Sequence, residues 1–411
     1  MSKRNWFVRS TLVLAALASV VLVTGCGRKK KTDGGDTPGI TATEIKIGQT
    51  MPYSGPASAY GVIGKTEAGF VKMINEKGGI NGRKINLISY DDGYNATKTV
   101  EQIRKLVESD GVAFIFNSLG TPQNSAIQDY LNERKVPQLF VATGADKWAD
   151  PEKHPWTMGW QPSYQTESKI YAKYLLMEKP DAKLCVLYQN DDFGKDYLIG
   201  LKAGLGDKYD KVVIKTASYE VTDPTIDSQV VSLQAAGCDS LLTAATPKFA
   251  AQTIRKVFDI GWKPFHIMSN VAVSRTTVLQ PAGLEKVVGL VTAGYILDPS
   301  CPATNDIPGM NEYRAFMKQW LPDLDPNDNN SVYAYGVSTT LVKVLTQCGN
   351  DLSRANIMKQ ASSLSHFTLP VSMPEIELNT GPKDFRPFAQ MQLAKFDGTC
   401  LAPFGKVLSS E

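Results

Sequence analysis

From Glu44 onward the chain alternates short apolar runs with segments of helical period, and it does so twice. The first series predicts a strand over 45–51, a helix over about 61–76, a strand over 84–90, a helix over 96–107 and a strand over 112–116. A further helix then leads to a strand over 138–142. This is the strand-helix-strand signal of a parallel sheet. In the helix over 96–107, Val100, Ile103 and Val107 fall at i, i+3 and i+7, which gives one apolar stripe to lay against that sheet. After a passage rich in Trp and Pro (156–162) the alternation restarts: strand 184–188, helix 194–205, strand 212–219, helix 226–236 and strand 240–244. Two similar α/β lobes are implied.

A short internal echo supports the pairing. Leu119, Gly120, Thr121 and Pro122 follow one strand, and Ala244, Ala245, Thr246 and Pro247 follow another, each opening a helix. A threonine can cap the first free N–H groups, and proline suits the first helical position. Both spots sit where a strand's C-terminal end meets a helix N-terminus, the place where open α/β sheets bind ligands. An ordinary helix start explains either one alone. Matching positions in both series favour a cleft between the lobes.

The N-terminus reads as an address. Lys3, Arg4 and Arg9 precede an apolar run over 12–23, and small residues end at Cys26, the order of a removable signal peptide (1–25). The run is shorter than the ~20 apolar residues a spanning helix needs. Val23, Thr24, Gly25 and Cys26 resemble a bacterial lipobox, so Cys26 is the expected lipidation site. Residues 28–31 are basic and would sit near anionic headgroups, or serve only as solvated linker. Residues 26–43 are expected to be a linker, with 31–39 as a flexible Gly/Pro-containing tether. Removing the leader leaves 411 − 25 = 386 residues, enough for two to three domains. The formal charge of +3 falls once the basic leader is gone, so nothing points to nucleic acid. Of six cysteines, five remain after Cys26 in an oxidising compartment, so at least one stays free. Cys185, in the apolar run over 183–188, reads as a buried thiol. A disulfide is expected to join two of Cys301, Cys348 and Cys400.

Catalytic constellations are not found. His154, His266 and His366 are far apart, with no carboxylate or cysteine at metal-ligand spacing, and there is no nucleophile elbow, phosphate loop or C-x-x-C pair. No cofactor or metal ion is expected. Gly204 to Gly206 reads as a turn. The pairs Asp91-Asp92 and Asp191-Asp192 follow strands and read as polar loop or hinge residues in preference to an acid/base pair.

The order of residues Met51-Pro52-Tyr53-Ser54-Gly55-Pro56, Tyr60-Gly61, 75–83 (NEKGGINGR) and Tyr90-Asp91-Asp92 resembles the periplasmic leucine-binding type of ABC-importer receptor. The resemblance runs from about Glu44 to the C-terminus. It implies the type I periplasmic-binding-protein fold: α/β, with two Rossmann-like lobes of parallel sheet joined by a three-strand hinge and closing on a ligand like a clamp. It places lobe 1 at 44–162 plus 296–365, and lobe 2 at 163–295 plus 366–411. In amino-acid receptors of this family, the ligand is held at positions that fall here on Thr121, Ala142 and Gly144. Thr121 would supply an O–H, the helix start a positive partial charge, and Gly144 close backbone approach.

The second lobe departs from the amino-acid pattern. The acid that pairs with the α-ammonium is replaced by Asn270, and no acid lies between Asp259 and Glu285. A buried ammonium without a countercharge is costly. The resemblance also places Tyr53, Tyr60, Trp160, Tyr164, Phe193, Tyr333 and Tyr335 around the cleft, with Thr246 at the second helix start. It is closest to members that take up aromatic or other hydrophobic carboxylates, which show the same run over 245–252 (ATPKFAAQ). The expectation is an exported, membrane-anchored lipoprotein on the periplasmic or cell-surface side. It would act as a monomer, bind a small carboxylate and serve an ABC permease. A branched-chain or other neutral amino acid is the second substrate class. A ligand-sensing receptor module is a second kind of function, and it would need a spanning or signalling segment that this reading does not find.

Overall fold

The computed structural model describes residues 37–409. The leader, Cys26 and the start of the tether lie outside the described residues. What is described of the linker is folded: Ile40 bridges Ile45 and packs on the core, and Lys46 N donates to Gly39 O at 2.7 Å. Residues 37–43 are therefore fastened at the start of β1, inside the first sheet, and are not free tether.

The first sheet is wholly parallel. Strand β1 (Glu44–Met51) pairs residue for residue with β2 (Lys84–Asp91), and β3 (Ile115–Phe116), β4 (Gln138–Val141) and β5 (Thr157–Gly159) complete the order β2-β1-β3-β4-β5. Helices α1 (Gly61–Glu76), α2 (Ala96–Arg104) and α3 (Thr121–Glu133) make the crossovers. The expected stripe on α2 holds: Ile103 is fully buried, with Val100 and Val107 packed beside it. The helix itself ends sooner than its period suggests, because the backbone widens into a π-turn at Lys105–Ser109.

The second sheet begins after α4 (Tyr164–Glu178), which Ser163 caps by accepting from Gln165 N and Thr166 N. Its strands are β6 (Leu184–Gln189), β7 (Val213–Tyr219), β8 (Ser240–Ala244), β9 (Phe265–Met268), β10 (Val291–Gly294), β11 (Gln390–Phe396) and β12 (Leu401–Ser409). They lie in the order β12-β11-β10-β9-β8-β6-β7. The last two join antiparallel, so a C-terminal hairpin extends a five-stranded parallel sheet. Asp191 caps α5 (Asp192–Leu205) by accepting from Gly194 N.

Three passages connect the sheets: after β5, after β10, and from the helix Arg354–Ala361 to β11. Each contributes one buried aromatic to a single cluster. Trp160, Tyr295 and Phe388 meet with ring centroids 5.9, 5.1 and 4.8 Å apart, and Trp160 Nε1 donates to Thr340 Oγ1 at 3.0 Å. These rings tie the three crossings together.

Cys301 and Cys400 form a disulfide within the expected set, and among the described residues Cys348 is the free thiol, buried. The reading of Cys185 as a thiol is corrected: it is bonded to Cys238. Cys185 sits on β6 opposite Leu241 of the adjacent β8, which brings the turn before β8 within a Cα distance of 5.7 Å. That adjacency comes from strand order, which an apolar run does not reveal.

Candidate ligand-binding cleft

The two echoed helix starts face one cavity. Its empty volume, including the part open to solvent, is about 980 Å³. Gly120 adopts φ +106° immediately before α3 and gives that helix no side-chain cap. Thr121 is the first residue of the helix, and its Oγ1 lies 2.5 Å from Thr143 Oγ1. On the other side Thr246 precedes the helix Pro247–Asp259, again without capping it. Thr246 N donates to Tyr219 Oη at 2.9 Å, and its hydroxyl donates to Gln189 Oε1 at 3.3 Å. The sequence suggested threonine caps. With neither hydroxyl so used, both helix starts keep the partial positive charge of their first N–H groups at the cavity wall.

Of the ten residues the sequence reading assigns to ligand, eight line this cavity: Thr121, Ala142, Tyr60, Tyr164, Phe193, Thr246, Asn270 and Tyr333. Trp160 does not. It is fully buried in the hinge cluster, with Tyr333 set edge-on against it at 5.0 Å, so it backs a wall residue and is not one itself. Gly144 does not line the cavity either. A Cβ there would meet Pro162 O at 2.5 Å and the Tyr164 ring at 2.8 Å, so the missing side chain makes room for Tyr164. Tyr53 and Tyr335 also lie behind the wall. Tyr53 Oη shares a hydrogen bond with Ser89 Oγ, and Tyr335 packs among Phe70, Tyr313 and Phe316. Lys248 turns away, donating to Asp223 O at 2.9 Å.

Among the described residues the wall carries no lysine or arginine, and its single acid is Asp298. That carboxylate is occupied: Ser300 N, Ser300 Oγ and Leu401 N all donate to it. Asn270 offers a buried Nδ2 with no hydrogen-bond partner among the described residues. Behind it lies a group that local sequence pattern does not single out. Glu167 of α4 is fully buried, and its Oε1 accepts from Asn270 N at 2.8 Å and from Tyr171 Oη at 2.6 Å. Burial raises the Glu167 carboxyl to about 7 against the opposing effect of these hydrogen bonds. The available signal was Glu167 and Tyr171 at i and i+4, with Tyr164, Ile170, Tyr174 and Leu175 at helical spacing on the same face. The four paired acids all have partners within the protein; Asp91, for example, accepts from Ser54 N and Ser54 Oγ, and Asp92 from Thr99 Oγ1.

The two sides of the cavity are fastened to each other. Tyr60 Oη donates to Val271 O at 2.8 Å, Asp146 N to Asp196 Oδ2 at 2.9 Å, and Ser274 Oγ to Asp328 Oδ1 at 3.1 Å. Lys147 Nζ pairs with Asp192 at 2.8 Å. A closed cleft at the C-terminal ends of strands in two α/β sheets, joined by three crossings and walled by neutral donors and aromatics, defines a two-lobed receptor for a small solute.

The chain belongs to the periplasmic binding protein family, whose sequence model matches residues 44–400. It is therefore an exported receptor of the class that binds a small molecule and delivers it to an ABC permease, and its family and fold are those of substrate-binding proteins, not enzymes. It is 25% identical over 300 residues to Leu/Ile/Val-binding protein homolog 7 of Brucella abortus (strain 2308), spanning 68% of this chain and 71% of the relative. The fold matches that of a fatty acid ABC transporter substrate-binding protein from Thermomonospora curvata (TM-score 0.76, 22% identity, 91% of this chain and 94% of that one). It also matches a solute-binding protein of an ABC transporter from Rhodopseudomonas palustris BisB5 in complex with 3,4-dihydroxy benzoic acid (TM-score 0.74, 15% identity, 89% and 98%).

Proposed function

We propose that the cleft captures an aromatic or other hydrophobic carboxylate that lacks an amine, for delivery to an ABC permease. One observation carries this reading: Asn270 presents an unpaired amide donor where an ammonium would need an acid, and Asp298, the one acid among the described wall residues, is already bonded. A carboxylate fits the remaining chemistry. Two uncapped helix starts and the Thr121 hydroxyl offer donors and positive partial charge, and the rings of Tyr60, Tyr164, Phe193 and Tyr333 offer apolar faces. Binding without turnover is part of the proposal. So are action as a monomer, lobes divided near 162, 295 and 365, and membrane attachment through a lipid on Cys26. Replacing Cys26 by alanine would then release the protein from the membrane fraction.

A branched-chain or other neutral amino acid is the second reading, favoured by Asp298 in the wall and Glu167 directly behind Asn270. A thermal-shift panel separates the two. A ligand at a hundredfold its Kd stabilises by about 2.7 kcal/mol. Stabilisation by benzoate or cinnamate and not by leucine or valine is the expected result. The reverse would overturn the first reading.

A further inference from the structure

Three residues of the cavity wall are held from behind by one pair of side chains on α4. Glu167 Oε1 accepts from Asn270 N at 2.8 Å and from Tyr171 Oη at 2.6 Å. Tyr171 Oη in turn accepts from Ala293 N at 3.0 Å and lies 3.2 Å from Thr292 Oγ1. Asn270, Thr292 and Ala293 all line the cavity. A fully buried carboxyl therefore stands one hydrogen bond behind Asn270, out of reach of the ligand but close enough for its charge to be felt there.

The donors around this carboxyl suit its neutral form. Oε1 takes both hydrogen bonds, and Oε2 is buried with no partner among the described residues. A carboxylate has about four lone-pair sites to satisfy, so two donors on one oxygen leave a buried charge poorly compensated. The titratable groups that face it are tyrosines: Tyr164 and Tyr171 of α4, Tyr197 of α5, and Tyr295 after β10. Burial pushes all four phenols up, so they stay neutral where Glu167 titrates. On β9, His266 bonds Thr243 Oγ1 instead, and burial lowers it to about 4. Lys406 of β12 is exposed. Asp196, beside Tyr197 on α5, accepts from Asp146 N and Gln165 Nε2, and burial raises it as well.

We infer that Glu167 sets which charge the cleft accepts: as a neutral acid behind Asn270 it lets an anionic group settle on this wall, and as a carboxylate it repels that group and favours an ammonium. For the identity of the anion this rests on the carboxylate reading above. The proton passes between Glu167 and solvent, and the ligand supplies none. Burial raises the carboxyl to about 7, so the changeover falls there. At an effective dielectric of about 20, a unit charge roughly 7 to 10 Å from another changes affinity about fifteen- to fiftyfold.

The test is calorimetric titration of the mature protein with benzoate and cinnamate, and with leucine and valine, from about pH 5.5 to about pH 9. Benzoate should bind at least roughly tenfold more weakly at the upper end. Its binding near neutral pH should also take up protons, read by repeating the titration in buffers of different ionisation enthalpy. Glu167→Gln keeps an acceptor for Asn270 N and Tyr171 Oη but has no proton to lose, so the slope should vanish while Asp196 still titrates. Tyr171→Phe removes a donor to the carboxylate form, so the break should move to higher pH. A merely structural role leaves that break where it is, and this second variant serves if the first fails to fold. A slope that persists in Glu167→Gln, or benzoate affinity independent of pH in the parent, overturns the inference. If leucine or valine binds and the two aromatic acids do not, the carboxylate reading falls and Glu167 is judged on the amino acid. Affinity that tightens with pH in the parent and not in Glu167→Gln then upholds its role, and a flat profile overturns it. Binding of none of the four overturns both.

Discussion

Glu167 gives the sharpest prediction that needs no ligand. Its carboxyl is fully buried, and burial raises it from an ordinary value of 4.5 to about 7. In the unfolded chain it ionises through 4.5, while in the folded protein it keeps its proton to about 7. Between those values unfolding releases a proton, so the group's contribution to stability falls as pH rises. It is fully present below 4.5 and lost above 7. The size of the change is 7 − 4.5 = 2.5 units at 1.36 kcal/mol each, about 3 kcal/mol. Glu167→Gln keeps an acceptor for Asn270 N and Tyr171 Oη but has no proton to lose, so it lacks this fall. Other carboxyls titrate over the same range, and the difference between the two proteins removes them. Urea or thermal melts of both at pH 4.5 and pH 8 should show the glutamine variant gaining about 3 kcal/mol on the parent across the interval, roughly 4 °C for a chain of this size. Parallel stability curves would refute the argument that Glu167 is held protonated beneath the cleft.

Three further outcomes follow from particular contacts. Thr121→Ala should weaken a bound carboxylate by about 1.5 to 3 kcal/mol, measured by titration, with little change in the melting of the empty protein. Gly144→Ala should cost about 1 to 3 kcal/mol of stability and weaken ligand binding as well, because the new methyl group drives Tyr164 off its place in the wall; unchanged affinity would place Tyr164 outside the contact. Replacing Cys301 and Cys400 together by serine should destabilise by about 2 to 5 kcal/mol in chemical melts, since that bond closes a loop with a sequence separation of 99 residues.

Much of the fold was legible because it is written in local period. The helix expected over 61–76 and the strand over 240–244 stand where the pattern puts them, and the Thr121 and Thr246 echo marks two helix starts that share one cavity. What was not legible depends on contacts between distant segments. Trp160 reads as an aromatic in a cleft-side passage, but it is drawn into a cluster with Tyr295 and Phe388 that forms only when three crossings lie side by side. Cys185 finds Cys238 because β6 and β8 are neighbours despite β7 between them in the chain. The sequence around Gly144 does not reveal that a side chain there would collide with the Tyr164 ring and Pro162 O. Glu167 reaches Asn270 from a helix 103 residues earlier, a contact that no spacing around Asn270 in the sequence announces.

The central claim concerns an absent countercharge, and it is tested most directly by ligands that differ only in the amine. Titration of leucine against 4-methylpentanoate, and of phenylalanine against 3-phenylpropanoate, holds the carboxylate and the apolar body fixed. A buried ammonium with no acid beside it costs about 3 kcal/mol or more, so each acid lacking the amine should bind at least roughly a hundredfold tighter than its amino acid. Tighter binding of leucine or phenylalanine would contradict the account, because Asn270 would then be accepting an ammonium that this cleft is argued to exclude.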